Sequence, residues 1–152
     1  MDTTTDVLRC AGARYPVGAA YAAIMIARSE KQKGKLVSAT FSVTIRPSEL
    51  SNQDTVERLT RTIALLHPTA EVGAVKLPCG VAAPVTEDRQ VPEGVTLLGK
   101  PRKASTVRQC HALIPIPDRT AVADFSICTE DIEGWDDHVA ILAGICATIT
   151  FT

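Results

Sequence analysis

The chain has 152 residues with a formal net charge of −1, and 45% of them are hydrophobic, 22% charged and 4% aromatic. This length suits one domain, which can bury enough surface to fold without disulfides or a bound metal. The balanced charge gives no reason to expect a nucleic-acid partner. No apolar run approaches the roughly 18 residues of a membrane-spanning helix, so we expect no membrane partner either.

The five cysteines, at positions 10, 79, 110, 128 and 146, show no C-x-x-C spacing. An odd number of scattered cysteines is typical of small core residues in a reducing compartment and not of a disulfide framework. The opening residues, Met-Asp-Thr-Thr-Thr-Asp, lack the basic and apolar regions of a signal peptide. We therefore predict a cytoplasmic protein.

The first third of the chain predicts an irregular lead-in and a β-hairpin. Residues 1–18 are expected to be a partly ordered segment, followed by a single domain over residues 19–152. Residues 19–28 are apolar and alanine-rich, which permits a helix or a strand. Residues 36–45 alternate apolar and polar at period two, as a half-buried strand does. Because a charged loop joins the two segments and the second is clearly β, we favour a hairpin.

A helix is predicted from Asp54 to Leu66. Pro47 ends the preceding hairpin, since proline cannot donate to a ladder, and Pro68 stops the helix. Ser51 with Asp54 resembles an N-cap. The apolar face of this helix consists of residues three or four positions apart, namely Val56, Leu59, Ile63 and Leu66.

The middle of the chain is less regular. A short strand is expected within residues 71–76, a turn at 77–80, and an extended run at 81–85 that a proline interrupts. Residues 86–103 are rich in proline and glycine and predict a long loop around a strand at 95–98. Loops of this length are often functional or mobile.

The last third predicts a second hairpin and a second helix. Strands are expected at residues 105–114 and 120–129, with a turn at 115–118 and an acidic connection at 130–134. The whole order predicts the α+β class, with a central mostly antiparallel β-sheet and two main helices packed on it. The buried face of the second helix is predicted from the residues three or four apart that follow the acidic connection: Trp135, Val139, Leu142, Cys146 and Ile149.

Six segments form a recognisable set: Val37–Ile45, Asp54–Leu66, the turn Val75–Gly80, Ala121–Thr129, Trp135–Val139 and Ala143–Phe151. In these segments the chain resembles the small actinobacterial proteins of the Mog1/PsbP-like fold, a group that includes LpqN-type lipoproteins. The resemblance implies a Mog1/PsbP-like α/β/α sandwich. Relatives act as adaptors, secretion chaperones and assembly factors, usually without catalysis, so no catalytic residue is carried over. The chain departs from the secreted members in lacking a signal peptide or lipobox.

No residue pattern predicts a catalytic, cofactor or metal site. The three histidines, His67, His111 and His138, lack the spacing of zinc ligands. Cys110 and His111 are adjacent, so on a strand they point to opposite faces. Neither a G-x-S-x-G sequence nor a phosphate-binding glycine motif occurs. We therefore predict a protein that is not an enzyme and needs no cofactor or metal.

The first functional hypothesis is a non-enzymatic protein-binding adaptor, or a chaperone-like or immunity-like factor, whose partner is another protein. Seven of the 17 acidic residues lie from Asp118 onward with one basic residue, which makes the end of the chain acidic. Trp135 is either a core anchor or an interface residue. The residues predicted for a partner interface combine this acidic end with a basic cluster: Glu130, Asp131, Trp135, Asp136, Asp137, Lys100, Arg102 and Lys103.

Two alternatives stay open. Cys79 stands between Pro78 and Gly80 in the predicted turn, where it is either a small residue in a tight corner or a thiol at a site. With His111 and the 86–103 loop it defines an alternative pocket, for a small-molecule-binding protein or a thiol-dependent enzyme. The other alternative is a homodimer whose apolar sheet face is covered by a second copy.

Overall fold

The computed structural model describes residues 18–47, 55–96, 98–117 and 121–151. The expectations for residues 1–17 and for an N-cap at Ser51 and Asp54 lie outside these ranges. Nine strands and two helices lie within them. In chain order they are β1 (Gly18–Arg28), β2 (Leu36–Pro47), α1 (Thr55–Leu66), β3 (Glu71–Val72), β4 (Val75–Leu77), β5 (Gly80–Val91), β6 (Gly94–Val95), β7 (Pro101–Arg102), β8 (Ser105–Pro115), β9 (Ala121–Thr129) and α2 (Trp135–Ala147).

One antiparallel sheet contains seven of these strands, in the order β1-β2-β9-β8-β5-β3, with β4 also paired to β5. The α+β class with a mostly antiparallel sheet and two helices is therefore confirmed. Both predicted hairpins are present, since β1 pairs with β2 and β8 pairs with β9. The alanine-rich first segment is a strand because its pairing with β2 outweighs the weak helix preference of its residues.

The prediction of a long loop over residues 86–103 is wrong for its first six residues, because β5 continues through Pro84 to Val91. In an antiparallel strand the N–H and C=O of one residue point to the same neighbouring strand. The C=O of Pro84 accepts a hydrogen bond from Gly73 N–H at 3.0 Å. The missing N–H of Pro84 therefore faces the break between β3 and β4, and pairing with β8 is intact.

Two further differences follow from the same region. The short strand expected within residues 71–76 is two strands, β3 and β4, on either side of this break. The strand expected at residues 95–98 is instead a two-residue piece, β6, which pairs with β7 in a small hairpin of its own. Glycine and proline confine regular pairing here to these short stretches.

The helices lie on opposite faces of the sheet. Glu87 and Asp88 are neighbours on β5, so their side chains point to opposite faces. Glu87 contacts His67, directly after α1, at 3.3 Å. Asp88 pairs with Arg108, whose guanidinium lies 5.7 Å from the ring centroid of Trp135 in α2. Neither of the two described helices is long and apolar enough to cross a membrane.

The hydrophobic core lies between α2 and the sheet. Ile114 and Ile127 are the largest fully buried side chains, and Leu142 and Cys146 of α2 pack against them. The predicted inner face of the helix is confirmed at these two helical positions. The helix ends at Ala147, before the β-branched residues that follow it, and the core is closed by partly buried side chains that include Trp135, Ile149 and Phe151.

Candidate functional site

A buried carboxylate stands on the face of the sheet that carries α1. Asp124 of β9 has a side chain that is 4% exposed. It forms an ion pair with Arg46 Nη2 of β2 and accepts a hydrogen bond from His111 Nδ1 of β8, both at 3.0 Å. The register places Arg46 and His111 diagonally across from Asp124 on the two neighbouring strands, so the three side chains share one face. Burying a carboxylate is costly unless it is paired in this way.

A second carboxylate cluster lies beside the first, nearer to α1. Glu87 of β5 accepts a hydrogen bond from Gln109 Nε2 at 2.6 Å, and His67 Nδ1 lies 3.3 Å from its other oxygen. Both imidazoles therefore direct Nδ1 to a carboxylate. The two clusters line a cavity of about 360 Å³, which we call the polar groove, together with Arg89 and the apolar side chains of Ile63, Val85 and Leu113.

A larger apolar cavity of about 720 Å³ lies between α1 and the turn that joins β4 to β5. Cys79, in the predicted turn, is one of its lining residues. None of the lining residues, all of them described, is a histidine. The one lining carboxylate, Glu57, is 3.2 Å from Arg61 on the same helix. His111 lies in the polar groove instead, so Cys79 and His111, the two residues of the alternative pocket, line different cavities.

Three of the other thiols are shielded. Burial raises the pKa of Cys110 and of Cys128, and it raises the pKa of Cys146 to about 11. A raised pKa keeps a cysteine in its unreactive thiol form at neutral pH. Cys79, Cys110, Cys128 and Cys146 form no disulfide in the described chain. The same residues contain no group of three or more histidine, cysteine or carboxylate side chains placed to hold a metal ion.

The acidic residues of the predicted interface have unequal environments. The side chain of Asp131 is 6% exposed and holds His138 Nε2 at 3.1 Å, so it is part of the folded structure. Glu130 accepts a hydrogen bond from Ser105 Oγ at 2.7 Å. Asp136 and Asp137 are exposed in the first turn of α2, beside the half-buried Trp135.

The basic residues of the predicted interface lie at the same end of the sheet. Lys100, Arg102 and Lys103 are exposed just before β8, whose first residues adjoin the last residues of β9. Arg102 Nη2 donates to the carbonyl of Pro92 at 3.1 Å, which fixes this side chain on its own hairpin. The structure thus brings the basic cluster and the acidic segment to one end of the molecule.

An exposed apolar edge is a feature that the sequence pattern did not single out. Strand β1 pairs with β2 on one side only, within the described residues. Its stretch from Gly18 to Ala27 contains no charged residue, and Ile24 and Ile26 are 53% and 61% exposed. The main packing of α2 is on β8 and β9, and that of α1 is on β3, β5 and β8, whereas Met25 of β1 is partly buried against the core.

Sequence reasoning also missed Asp124 and Arg46. Aspartate is depleted in strands, so a lone aspartate in the middle of the apolar strand β9 is a usable signal of a paired or functional side chain. Its partners come from two other strands and have no local signature. Comparisons with protein-family models, with curated proteins and with solved structures gave no match to this chain.

Proposed function

We propose that this chain is a non-enzymatic, protein-binding adaptor with a Mog1/PsbP-like α/β/α sandwich fold, which binds an extended segment of another protein by strand addition at β1. The observation that carries the proposal is the outer edge of β1, which is apolar, has no charge from Gly18 to Ala27 and pairs with no second strand among the described residues. Chaperone-like and immunity-like factors are adaptors of this kind.

An unpaired edge presents a row of backbone N–H and C=O groups that another strand can satisfy. Proteins usually protect such edges with lysine, proline or a bulge. In β1 the register shifts once, between Ala19 and Tyr21, and the first charged residue is Arg28. The eight residues from Tyr21 to Arg28 pair regularly with β2, and no other strand in the described part of the chain pairs with their outer side.

The side chains of this edge specify an apolar partner. Ile24 and Ile26 lie on one face of β1, and Tyr21 lies on the other, where its ring contacts Phe41 edge to face at 6.0 Å. Covering the exposed half of each isoleucine would contribute about 1 kcal/mol per residue. The bound segment is therefore extended, uncharged and apolar at alternate positions.

The charged end of the molecule adds to this proposal. A partner can be oriented by charges of both signs at this end: the carboxylates of Asp136 and Asp137, beside Trp135, and the basic cluster at residues 100–103. A cytoplasmic location belongs to the same proposal, and the free thiols of the described cysteines support it.

Selection from a library of extended peptides, followed by fluorescence anisotropy, tests strand addition. The selected peptides should slow hydrogen exchange of the β1 amides. The double variant Ile24→Lys/Ile26→Lys should weaken binding by about tenfold or more, since edge lysines oppose pairing. Leu98→Lys is the matched control, because Leu98 is equally apolar, is 85% exposed and lies far from β1 in the sequence.

Equal binding by the double variant and the control, or unchanged exchange of the β1 amides, would contradict strand addition. Light scattering of the unliganded protein completes the test. A dimer that dissociates in the double variant would assign the edge to a second copy of the chain instead of another protein.

A second candidate, a small-molecule-binding protein, is favoured by the apolar cavity beside Cys79. Its volume of about 720 Å³ suits a ligand of drug size. The absence of a histidine from its described lining supports binding more than thiol-dependent catalysis. An apolar fluorescent dye should bind the native protein, and Ala64→Trp should displace it by filling the cavity, whereas equal dye binding by the variant would exclude this cavity.

A further inference from the structure

The polar groove contains two carboxylates that are already paired and two guanidinium groups with N–H donors to spare. Its two carboxylates are satisfied by the chain itself, since Asp124 is held by Arg46 and His111. Glu87 is likewise held by Gln109 and His67. Neither carboxylate is left to bind a cation, and the guanidinium groups at the groove disfavour one further.

The groups left over for an anionic ligand are the guanidinium groups of Arg46 and Arg89. Arg89 lines the groove and makes no ion pair with any described residue. Arg46 contacts Asp124 through Nη2. Its side chain is 60% exposed, so its other guanidinium N–H groups can reach a ligand. Each imidazole directs Nδ1 to a carboxylate, so Nε2 of His67 and of His111 can donate to an anion only when the ring is protonated.

The buried Asp124 holds two residues of the groove in position. A buried ion pair is seldom a source of stability, since replacing all of its members together by apolar residues of similar volume is often neutral or stabilising. In this sheet, however, Asp124 fixes the positions of Arg46 on one neighbouring strand and His111 on the other. A guanidinium held in place before the ligand arrives loses little conformational freedom when it binds.

From these contacts we infer that the polar groove binds the oxyanion group of a small molecule, a carboxylate or a phosphate, through Arg46 and Arg89. The apolar side chains of Ile63, Val85 and Leu113 line the same cavity and receive the carbon part of the ligand. A volume of about 360 Å³ restricts that ligand to a small metabolite. The site is separate from β1 and does not depend on the proposed strand addition.

Titration of the ¹⁵N-labelled protein with inorganic phosphate and with succinate, at constant ionic strength, tests the inference. At least one of the two anions should cause saturable shifts of the amides of β5, β8 and β9 around the groove. Arg89→Gln should weaken that anion's binding by about tenfold or more, because a charge-assisted hydrogen bond is lost. Arg89 is exposed and pairs with no described side chain, so this variant is expected to fold.

Arg28→Gln provides the matched control, since Arg28 is an exposed arginine at the end of β1, at the opposite edge of the sheet. This variant should change the affinity for the anion by less than about twofold, because salt screens the long-range attraction between Arg28 and an anion in the groove. The anion that binds more tightly identifies the chemical class of the ligand. The inference is overturned if neither anion gives saturable shifts at the groove, or if both variants weaken binding equally.

Discussion

Replacing Gly134 by alanine is expected to destabilise the protein through one displaced carboxylate. Gly134 stands directly before α2, and its N–H donates to Asp131 Oδ1 at 3.2 Å. A Cβ built on Gly134 would overlap Oδ2 of Asp131, the oxygen that holds His138. The φ of Gly134 is −90°, which any residue adopts, so the cost arises from this overlap and not from the backbone.

The magnitude follows from the burial of the groups that lose their partners. His138 is 7% exposed, its Nε2 is 3.1 Å from Asp131, and its Nδ1 has no partner among the described residues. If Asp131 moves, the imidazole loses its hydrogen bond, which costs about 1.5–3 kcal/mol for a charged acceptor. The lost bond to the N–H of Gly134 adds about 1 kcal/mol, as for a helix cap. We therefore expect the free energy of unfolding to fall by about 3 kcal/mol.

Urea unfolding followed by circular dichroism measures this change. Gly144→Ala is the matched control, since it is the same substitution within α2 and a Cβ there meets nothing within 4 Å. It should raise the free energy of unfolding by about 0.5–1 kcal/mol, because alanine is favoured over glycine inside a helix. A loss below about 1 kcal/mol in Gly134→Ala would refute the reasoning, since it would mean that Asp131 moves aside at little cost.

Three other changes have defined outcomes. Trp135→Ala should cost about 2–3 kcal/mol in urea unfolding, since the ring is half-buried and lies beside Arg108; a loss under about 1 kcal/mol would favour an interface role. Asp124→Ala should cost about 2–3 kcal/mol by leaving His111 and Arg46 unpaired, and an unchanged midpoint would show that the cluster adds no stability. Burial raises the pKa of Cys146 from 9.0 to about 11, so the folded state keeps a proton that the unfolded state releases. Stability should therefore fall between pH 9 and pH 11, and Cys146→Ala should flatten that fall; an identical slope in the variant would contradict the assignment.

The local patterns of the sequence predicted most of the elements but not the middle of the chain. Period two at residues 36–45 and the apolar positions of residues 135–146 fixed β2 and α2, because backbone geometry alone sets which side chains share a face. Pro84 misled the prediction for β5. A proline ends a strand only where its missing N–H would face a partner, and that depends on which strand lies beside it.

The candidate sites depended on the fold much more than the elements did. The sequence placed Cys79 in a turn, which the structure confirms, but it could not show that His111 lines a different cavity. It likewise could not show that Asp131 is used inside the structure while Asp136 is exposed. Adjacent residues with similar chemistry differ here because their neighbours in space differ.

By itself, the sequence determined the α+β class, the two hairpins and two of the buried positions of α2, Leu142 and Cys146, because these follow from side-chain periodicity over a few residues. It did not predict that His138 is the third buried residue of this helix. Only the tertiary structure decided that Arg46, His111 and Asp124 meet, and that β1 is the outermost strand of the described sheet. The physical reason is that strand order and register are properties of the whole sheet. They bring together residues that are 78 positions apart, such as Arg46 and Asp124, and no local pattern encodes that distance.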